Sequence, residues 1–256
     1  MTARAPVEHA GQGPAVLLVH AGIADRRMWR SSLPWLAAQG RQAIAPDLPG
    51  FGDHLPSAHP PAPWDYLAEV LDEHGIDRAV VVGCSFGGAV ALRLAVTAPE
   101  RVRGLAVISA PAPGLEPSSR LQAAWAAEEE AMERGDIDAA VEAVLAAWLA
   151  PDAPAELRDL VASMQRRAFE LDPEGTMPPP PDPLEDRPEL LRGVELPALI
   201  AAGEHDMPDF LWSAEQLAQQ LPQASHHVIP GAGHLAALET PEAFRGLLGD
   251  FLAGLG

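Results

Sequence analysis

Short apolar runs alternate with helical patterns along most of the 256 residues, and this alternation limits the folds available to the chain. The apolar runs are rich in Val, Ile, Leu and Ala, as are the buried strands of a parallel sheet. The strand patterns are Ala15–His20, Ala43–Pro46, Arg78–Cys84, Val102–Ser109, Ala198–Ala201 and His226–Ile229. The helical patterns are Trp29–Gln39, Trp64–His74, Phe86–Thr97, Phe210–Gln220 and Pro241–Leu252. This order predicts βαβ units and a mostly parallel, doubly wound α/β sheet with helices on both faces.

Residues 111–193 interrupt the alternation. Three amphipathic helical patterns follow one another there, and a proline-dense stretch that we expect to be irregular comes after them. These segments are Ser118–Arg134, Asp136–Leu149, Ala155–Glu170 and Pro178–Pro183. Because the sheet pattern begins before this region and is completed after it, we interpret the region as an insertion. The predicted domains are an α/β core of residues 1–110 and 194–256 and a helical cap of residues 111–193.

The composition excludes several classes of function. The formal net charge is -19 and no basic cluster is present, so we expect no nucleic-acid binding, which needs Lys and Arg against phosphates. All 17 basic residues are arginine, and a chain without lysine cannot form a Schiff base. The single cysteine, Cys84, excludes an internal disulfide and a cysteine-based metal cluster. No metal and no organic cofactor is predicted.

The distribution of apolar residues also predicts where the protein works. The longest apolar runs fall far short of the ~20 residues that span a bilayer. The first residues, Met1–Gly13, show no apolar segment of the kind found in secretory signals. We therefore expect a cytoplasmic protein that does not associate with membranes.

Gly83–Gly88 is the motif that carries most chemical information. It has the form G-x-S-x-G and stands directly between a strand pattern and a helical pattern. This context is typical of a nucleophile elbow, in which glycines permit a sharp turn and the serine hydroxyl is exposed at the carboxyl edge of the sheet. Ser85 is therefore the predicted nucleophile.

A serine hydroxyl needs a base to remove its proton, and the base needs a carboxylate to orient it. His234 follows the last strand pattern in a glycine-containing loop, so it is the predicted base. Asp206 follows the preceding strand pattern and is the predicted carboxylate, with Glu204 and Asp209 as alternatives. The chain order of Ser85, Asp206 and His234 is the order expected for this kind of site.

The transition state of acyl transfer also needs donors for an oxyanion. The backbone N–H of Phe86 is the first predicted donor, and that of Gly22 or Ile23, in the loop after the first strand pattern, is the second. His20 is expected to orient this loop.

Side chains of the cap are expected to influence substrate binding. Trp125 and Trp148 lie on cap helices and are predicted to line a substrate pocket. Arg166 and Arg167 are expected on a solvated helix face, with contact to a substrate carboxylate as the alternative reading.

Taken together, these segments resemble an α/β-hydrolase-fold serine hydrolase with a helical cap, over nearly the full chain. The resemblance rests on His20–Gly22, Asp47–Gly52, the serine elbow, Gly203–Asp206 and Gly231–His234. Family members often have His-Gly where this chain has His20 and Ala21, which leaves Gly22 and Ile23 both open as donors. About 14 residues precede the first strong strand pattern, so the resemblance also implies a shortened N-terminus with reduced or missing first strands.

The predicted function is hydrolysis of a carboxylic ester or related acyl bond in a small-molecule substrate, through an acyl-enzyme. Lactonases, C–C bond hydrolases, thioesterases and perhydrolases use the same three residues, so these activities stay open. A receptor that binds a small molecule in a hydrolase-like pocket, with slow turnover, is the alternative from another class. No oligomeric state is predicted.

Overall fold

A central sheet organises the chain in the computed structural model, which describes residues 6–57, 60–172 and 181–255. Over these residues the sheet has seven strands in the order β1-β3-β2-β4-β5-β6-β7. The strands are β1 Val7–Ala10, β2 Ala15–Val19, β3 Gln42–Pro46, β4 Ala79–Cys84, β5 Val102–Ile108, β6 Ala198–Gly203 and β7 Ala224–Ile229. Strand β1 runs antiparallel to β3 and every other neighbouring pair is parallel. The predicted doubly wound α/β sheet is confirmed.

Both faces of the sheet are buried, which explains why its strands read as continuous apolar runs. All six residues of β4 are buried. Successive side chains of a strand point to opposite faces, so Val80 and Val82 join one apolar core while Ala79 and Val81 join the other. Complete burial of a valine-sized side chain stabilises a fold by roughly 1.5–3 kcal/mol, and most of these strands consist of such residues.

The helices cover the two faces as the sequence patterns predict. They are α1 Ser32–Ala38, α2 Pro63–Glu73, α3 Phe86–Thr97, α4 Ser119–Glu133, α5 Ile137–Trp148, α6 Ala155–Leu171, α7 Pro208–Gln220, α8 Ala236–Glu239 and α9 Pro241–Gly254. Short 3₁₀ segments occur at Arg26–Trp29, Pro99–Arg101 and Pro188–Gly193. The one-turn helix α8 was not predicted, because four residues are too few for a periodic pattern.

The prediction of one helix over Trp29–Gln39 is wrong. The structure has a 3₁₀ segment at Arg26–Trp29, then a break, and then α1. Asp25 starts the 3₁₀ segment by accepting a hydrogen bond from the Arg27 N–H. Pro34 explains the break, since a proline ring clashes with the carbonyl four residues earlier in a continuous helix.

The chain before Ala15 contains strand β1, which the sequence pattern did not predict. His9 lies in this strand opposite Ile44 of β3. The strand is short and only partly buried, so it lacks the apolar alternation by which strands are identified.

Between β5 and β6 lie α4, α5 and α6, which we call the helical insertion. Helix α5 packs against both other helices, and the buried faces of α5 and α6 join the apolar core on one side of the sheet. Leu184 and Leu191, later in the same connection, pack in the core on the other side. The division into a core and a cap at residues 110 and 194 stays a prediction. Residues 178–180 of the proline-dense stretch lie outside the described residues.

Within residues 6–57, 60–172 and 181–255, no helix has both the length and the apolar character that crossing a membrane requires.

Candidate active site

Ser85 lies on a strained turn between β4 and α3. Its φ is 53° and its ψ is -118°, a region that side chains rarely adopt and that is found mostly at functional sites. A Cβ at Gly83 would lie 2.3 Å from the carbonyl oxygen of Gly87, and a Cβ at Gly87 would lie 2.4 Å from that of Val19. Only glycine allows this approach of strand and helix, and the Ser85 N–H donates to the Ile108 carbonyl at 2.8 Å. The turn has the geometry of a nucleophile elbow.

His234 and Asp206 form a buried hydrogen-bonded pair. The His234 Nδ1 lies 2.9 Å from Asp206 Oδ1 and 3.1 Å from Oδ2. The exposed fraction is 3% for His234 and 6% for Asp206. Because a carboxylate only accepts hydrogen bonds, Nδ1 carries the proton and Nε2 is left able to accept one. The pair has the arrangement required of a general base and the residue that orients it.

Contacts between two loops bring this pair together. The loop after β6 contains Asp206 and the loop after β7 contains His234, and β6 and β7 are neighbouring parallel strands. The His205 N–H donates to the Ala232 carbonyl at 2.8 Å. The Gly231 N–H donates to Glu204 Oε2 at 2.9 Å. Glu204, one of the alternative carboxylates, therefore joins the two loops.

Asp209, the other alternative, holds a helix start in place. It accepts hydrogen bonds of 2.7 Å from both the backbone N–H and the hydroxyl of Ser118, the residue before α4. Burial opposes ionisation, yet the two bonds from Ser118, together with the Asp209 N–H and the charge of Arg120, keep the pKa of Asp209 below its ordinary value. Of the three acidic residues considered, Asp206 is the one that the structure places against the imidazole.

Two aromatic rings enclose the His234 imidazole. The centroids of Trp148, at the end of α5, and Phe210, in the first turn of α7, each lie 4.5 Å from that of His234. Trp148 and Phe210 also contact each other, with centroids 5.6 Å apart. Sequence reasoning missed Phe210, although its position just after the Asp206 loop was a usable signal.

Trp125, the second tryptophan predicted to line the pocket, lies on α4. The exposed fraction of its side chain is 46%. The structure does not bring Trp125 into the cluster around His234, so this prediction gains no support from the contacts of the described residues.

Cys84 lies beneath the histidine loop. Its thiol donates to the His234 carbonyl at 3.5 Å. Burial is the main cause that raises the pKa of this thiol far above its usual range, with the charges of Asp206 and Glu239 adding to the effect. Cys84 therefore stays protonated and supports the loop by packing.

The residues predicted for the oxyanion hole lie next to each other. A Cβ at Gly22 would lie 3.4 Å from the Cβ of Phe86, which brings the loop after β2 against the start of α3. The backbone N–H groups of Gly22, Ile23 and Phe86 donate to no other residue in the described part of the chain. Unpaired N–H groups beside a partly exposed serine are what an oxyanion hole requires, and Gly22 and Ile23 both stay open as the second donor.

His20 holds the loop that contains Gly22 and Ile23 against a second loop. Its Nε2 accepts a hydrogen bond from the Leu48 N–H at 2.9 Å, and its Nδ1 lies 2.8 Å from the Ala21 carbonyl. The ring is fully buried, and burial lowers its pKa. A neutral ring that uses both nitrogens orients the backbone and is not available for proton transfer. The Phe51 ring lies 5.0 Å from His20 and 6.2 Å from Phe86, measured between centroids.

Helix α6 of the insertion lies on these same loops. The Asp25 N–H approaches Met164 Sδ at 3.5 Å. Arg27, which is paired with the buried carboxylate of Asp25 at 2.7 Å, also donates to the Ser163 hydroxyl at 3.1 Å. The Nε of Arg167 donates to the carbonyl of Gly52 at 3.1 Å. Consecutive turns of one helix therefore contact both loops beside Ser85.

Among the described residues, no three His, Cys, Asp or Glu side chains lie together as a metal site would need. The predicted absence of a metal or cofactor stays a prediction.

Comparison with known proteins identifies the family. The family model for the alpha/beta hydrolase fold matches residues 14–241. The chain is 32% identical over 260 residues to a 2-hydroxymuconate semialdehyde hydrolase of Pseudomonas putida. This alignment covers 98% of this chain and 91% of that protein. The chain therefore belongs to the α/β-hydrolase fold family and is an enzyme of the hydrolase class.

Solved structures agree with this assignment. A thermophilic esterase from Thermogutta terrifontis superposes with a TM-score of 0.81 at 26% identity, covering 97% of this chain and 93% of the esterase. The meta-cleavage product hydrolase from Pseudomonas fluorescens IP01 superposes with a TM-score of 0.76 at 25% identity, covering 98% and 94% respectively.

Proposed function

We propose that the enzyme cleaves a carboxylic ester or related acyl bond with Ser85 as nucleophile, His234 as base and Asp206 as the orienting carboxylate. The observation that carries this proposal is the buried His234–Asp206 pair at the same edge of the sheet as the strained Ser85 turn. Neither feature is needed for a stable sheet, since a positive φ at a serine and a buried carboxylate both oppose folding.

The proposed reaction follows from these positions. The Oγ of Ser85 attacks the substrate carbonyl carbon, and His234 Nε2 takes the hydroxyl proton. The carbonyl oxygen becomes an oxyanion, which accepts hydrogen bonds from the N–H of Phe86 and from that of Gly22 or Ile23. His234 then gives its proton to the leaving alcohol and leaves an acyl group on Ser85. Water, deprotonated by His234, attacks the acyl carbon and releases the carboxylic acid and the free serine.

The surroundings of Ser85 favour an apolar acyl group. Phe86 is 38% exposed beside the serine, and Phe51 contacts it. Trp148 lies on the other side of the site, against His234. Aromatic and apolar walls with few polar groups are typical of small-molecule pockets.

The experiment that tests this proposal measures turnover and covalent modification together. We expect multiple turnovers on p-nitrophenyl esters from acetate to longer acyl chains. A fluorophosphonate should modify one residue per chain and stop this activity, and peptide mass spectrometry should map the adduct to Ser85. Stoichiometric modification elsewhere in an active enzyme would contradict the proposal. A single turnover on every ester, with Ser85 acylated, would favour the receptor alternative.

Cleavage of a C–C bond is the second candidate function. The named substrate of the Pseudomonas putida relative, 2-hydroxymuconate semialdehyde, carries a carboxylate at one end and an aldehyde at the other. The contacts of Arg167 favour a substrate that carries such a carboxylate. Neighbouring arginines are bound to carboxylates, Arg27 to Asp25 and Arg166 to Asp138. Arg167 makes no ion pair with any described residue, and it donates to the Gly52 carbonyl beside the site. Its charge also helps to lower the pKa of Asp53, and in this second candidate function it would bind the carboxylate of an anionic substrate.

Replacing Arg167 by glutamine tests this charge preference. We expect kcat/KM for mono-p-nitrophenyl glutarate to fall about 10- to 100-fold, because a hydrogen bond to a charged group contributes ~1.5–3 kcal/mol. Activity on p-nitrophenyl valerate, neutral and of equal length, should change less than about threefold on the same reasoning. Arg166→Gln is the matched control, since Asp138 already neutralises that arginine, and it should affect neither substrate. Equal losses on both substrates in Arg167→Gln would contradict carboxylate binding.

A further inference from the structure

We propose that Glu239 is a positioning residue for the catalytic histidine, holding the backbone on both sides of His234. This inference rests on the proposed function of His234 as the base. Glu239 is the last residue of α8, the one-turn helix that follows the histidine loop. Nothing in the sequence pattern singled it out, because it is five residues away from His234 and belongs to no recognisable motif of the site.

The first contact is with the residue after His234. The N–H of Leu235 donates to Glu239 Oε2 at 3.1 Å. Leu235 itself is fully buried in the apolar core, so this N–H has no water to bond and depends on the carboxylate. A buried N–H that loses its acceptor destabilises the fold, because the cost of removing it from water is no longer offset.

The second contact is with the residue before His234. A Cβ at Gly233 would lie 2.8 Å from Glu239 Oε1 and 2.9 Å from Oε2. The carboxyl group therefore packs directly on the Gly233 backbone, and a side chain at position 233 would displace it. One carboxyl group thus contacts both residues that flank His234, and the Cys84 thiol contacts the His234 carbonyl.

The surroundings of Glu239 make its buried carboxyl group costly to the fold. Burial is the main cause that raises its pKa, and the nearby charge of Asp206 acts in the same direction, whereas the N–H groups of Leu235 and Gly233 and the charge of His234 lower it. Its Oε1 is buried and has no hydrogen-bond partner in the described part of the chain. Leaving a carboxylate oxygen unpaired is costly, which is unexpected if Glu239 only capped a four-residue helix.

Two substitutions separate positioning from simple stabilisation. Glutamine at position 239 keeps an acceptor for the Leu235 N–H, and alanine removes it. We expect Glu239→Ala to lower kcat about 10- to 100-fold with KM nearly unchanged, because misplacing a catalytic group by ~1 Å has an effect of this size. Glu239→Gln should recover most of kcat. Glu242→Ala, at an exposed acidic residue nearby in α9, is the matched control and should behave as wild type.

A spectroscopic measurement makes the test independent of activity. The Nδ1 proton between His234 and Asp206 should give a low-field proton NMR resonance in the wild type, absent in Asp206→Asn. We expect the resonance to persist in Glu239→Gln and to weaken or disappear in Glu239→Ala. Should the wild type hydrolyse no ester, the proposed function would fail while this resonance still tested the positioning.

Several outcomes would overturn the inference. An unchanged kcat and resonance in Glu239→Ala would show that the carboxyl group does not position His234, and equal losses in the alanine and glutamine variants would exclude the hydrogen bond as the cause. If Glu239→Ala does not fold, Gly233→Ala disturbs the same contact with Glu239 still present. It should lower kcat and weaken the resonance, and wild-type values in Gly233→Ala would overturn the proposal.

Discussion

Ser85→Ala is expected to lower kcat/KM for p-nitrophenyl esters at least about 10³-fold, with the folded structure preserved. The attacking oxygen is removed, and the remaining oxyanion donors and binding contacts supply only a residual acceleration. The backbone of this turn should be unaffected, since alanine and serine tolerate a positive φ equally poorly. Steady-state kinetics with each purified variant, together with the thermal unfolding midpoint, is the measurement.

Ser109→Ala is the matched control for this substitution. Ser109 directly follows the neighbouring strand β5 and shares the positive φ, 51° against 53° for Ser85. Its side chain is buried and its hydroxyl has no hydrogen-bond partner among the described residues. Loss of the hydroxyl there should leave turnover within about twofold of wild type, because an unpaired buried hydroxyl contributes little or destabilises. Full activity in Ser85→Ala would remove Ser85 from the mechanism.

Asp206→Asn is expected to reduce kcat on the order of 10³- to 10⁴-fold, mainly through the tautomer of His234. An asparagine that keeps the 2.9 Å contact can donate its N–H to Nδ1, and the ring proton then moves to Nε2. An imidazole protonated at Nε2 cannot accept the Ser85 proton. KM should change little, because Asp206 does not contact the substrate in the proposed reaction.

Asp209→Asn is the matched control for Asp206→Asn, since it makes the same change three residues later in the chain. It should weaken the two bonds to Ser118 and lower the free energy of unfolding by about 1–3 kcal/mol, with kcat retained. The pKa of Asp209 is lowered in the folded state, so its contribution is present at neutral pH and is lost as the pH falls below the ordinary aspartate value. If Asp209→Asn, and not Asp206→Asn, abolished turnover, the assignment of the carboxylate would be wrong.

The sequence predicts those parts of the site that depend on chain neighbours. The Ser85 turn follows from glycines at fixed offsets between a strand and a helix, and the placement of Asp206 and His234 follows from a rule about where parallel strands end. Both rules depend on topology, which short apolar runs and helical periods specify well. The same periods located α3 at Phe86–Thr97, where the structure has it.

Features that depend on side-chain packing between distant segments were not predictable. The Trp148 and Phe210 rings meet at His234 only because α5 and α7 approach each other over the sheet edge. The contact of Glu239 with Gly233 depends on a one-turn helix that no periodicity reveals. Strand β1 was missed because it obtains its order from pairing with β3 and not from an apolar pattern of its own.

The contacts of α6 with the loops beside Ser85 limit how far the enzyme can be re-engineered in separate parts. Met164 and Ser163 contact Asp25 and Arg27, which follow the predicted second oxyanion donor in the chain, and Arg167 contacts the loop that His20 holds. Exchanging the helical insertion for one from a relative would therefore alter the alignment of the oxyanion donors along with the shape of the pocket. Substrate range and turnover number should change together in such chimeras, and swaps that keep Ser163, Met164 and Arg167 should lose the least activity.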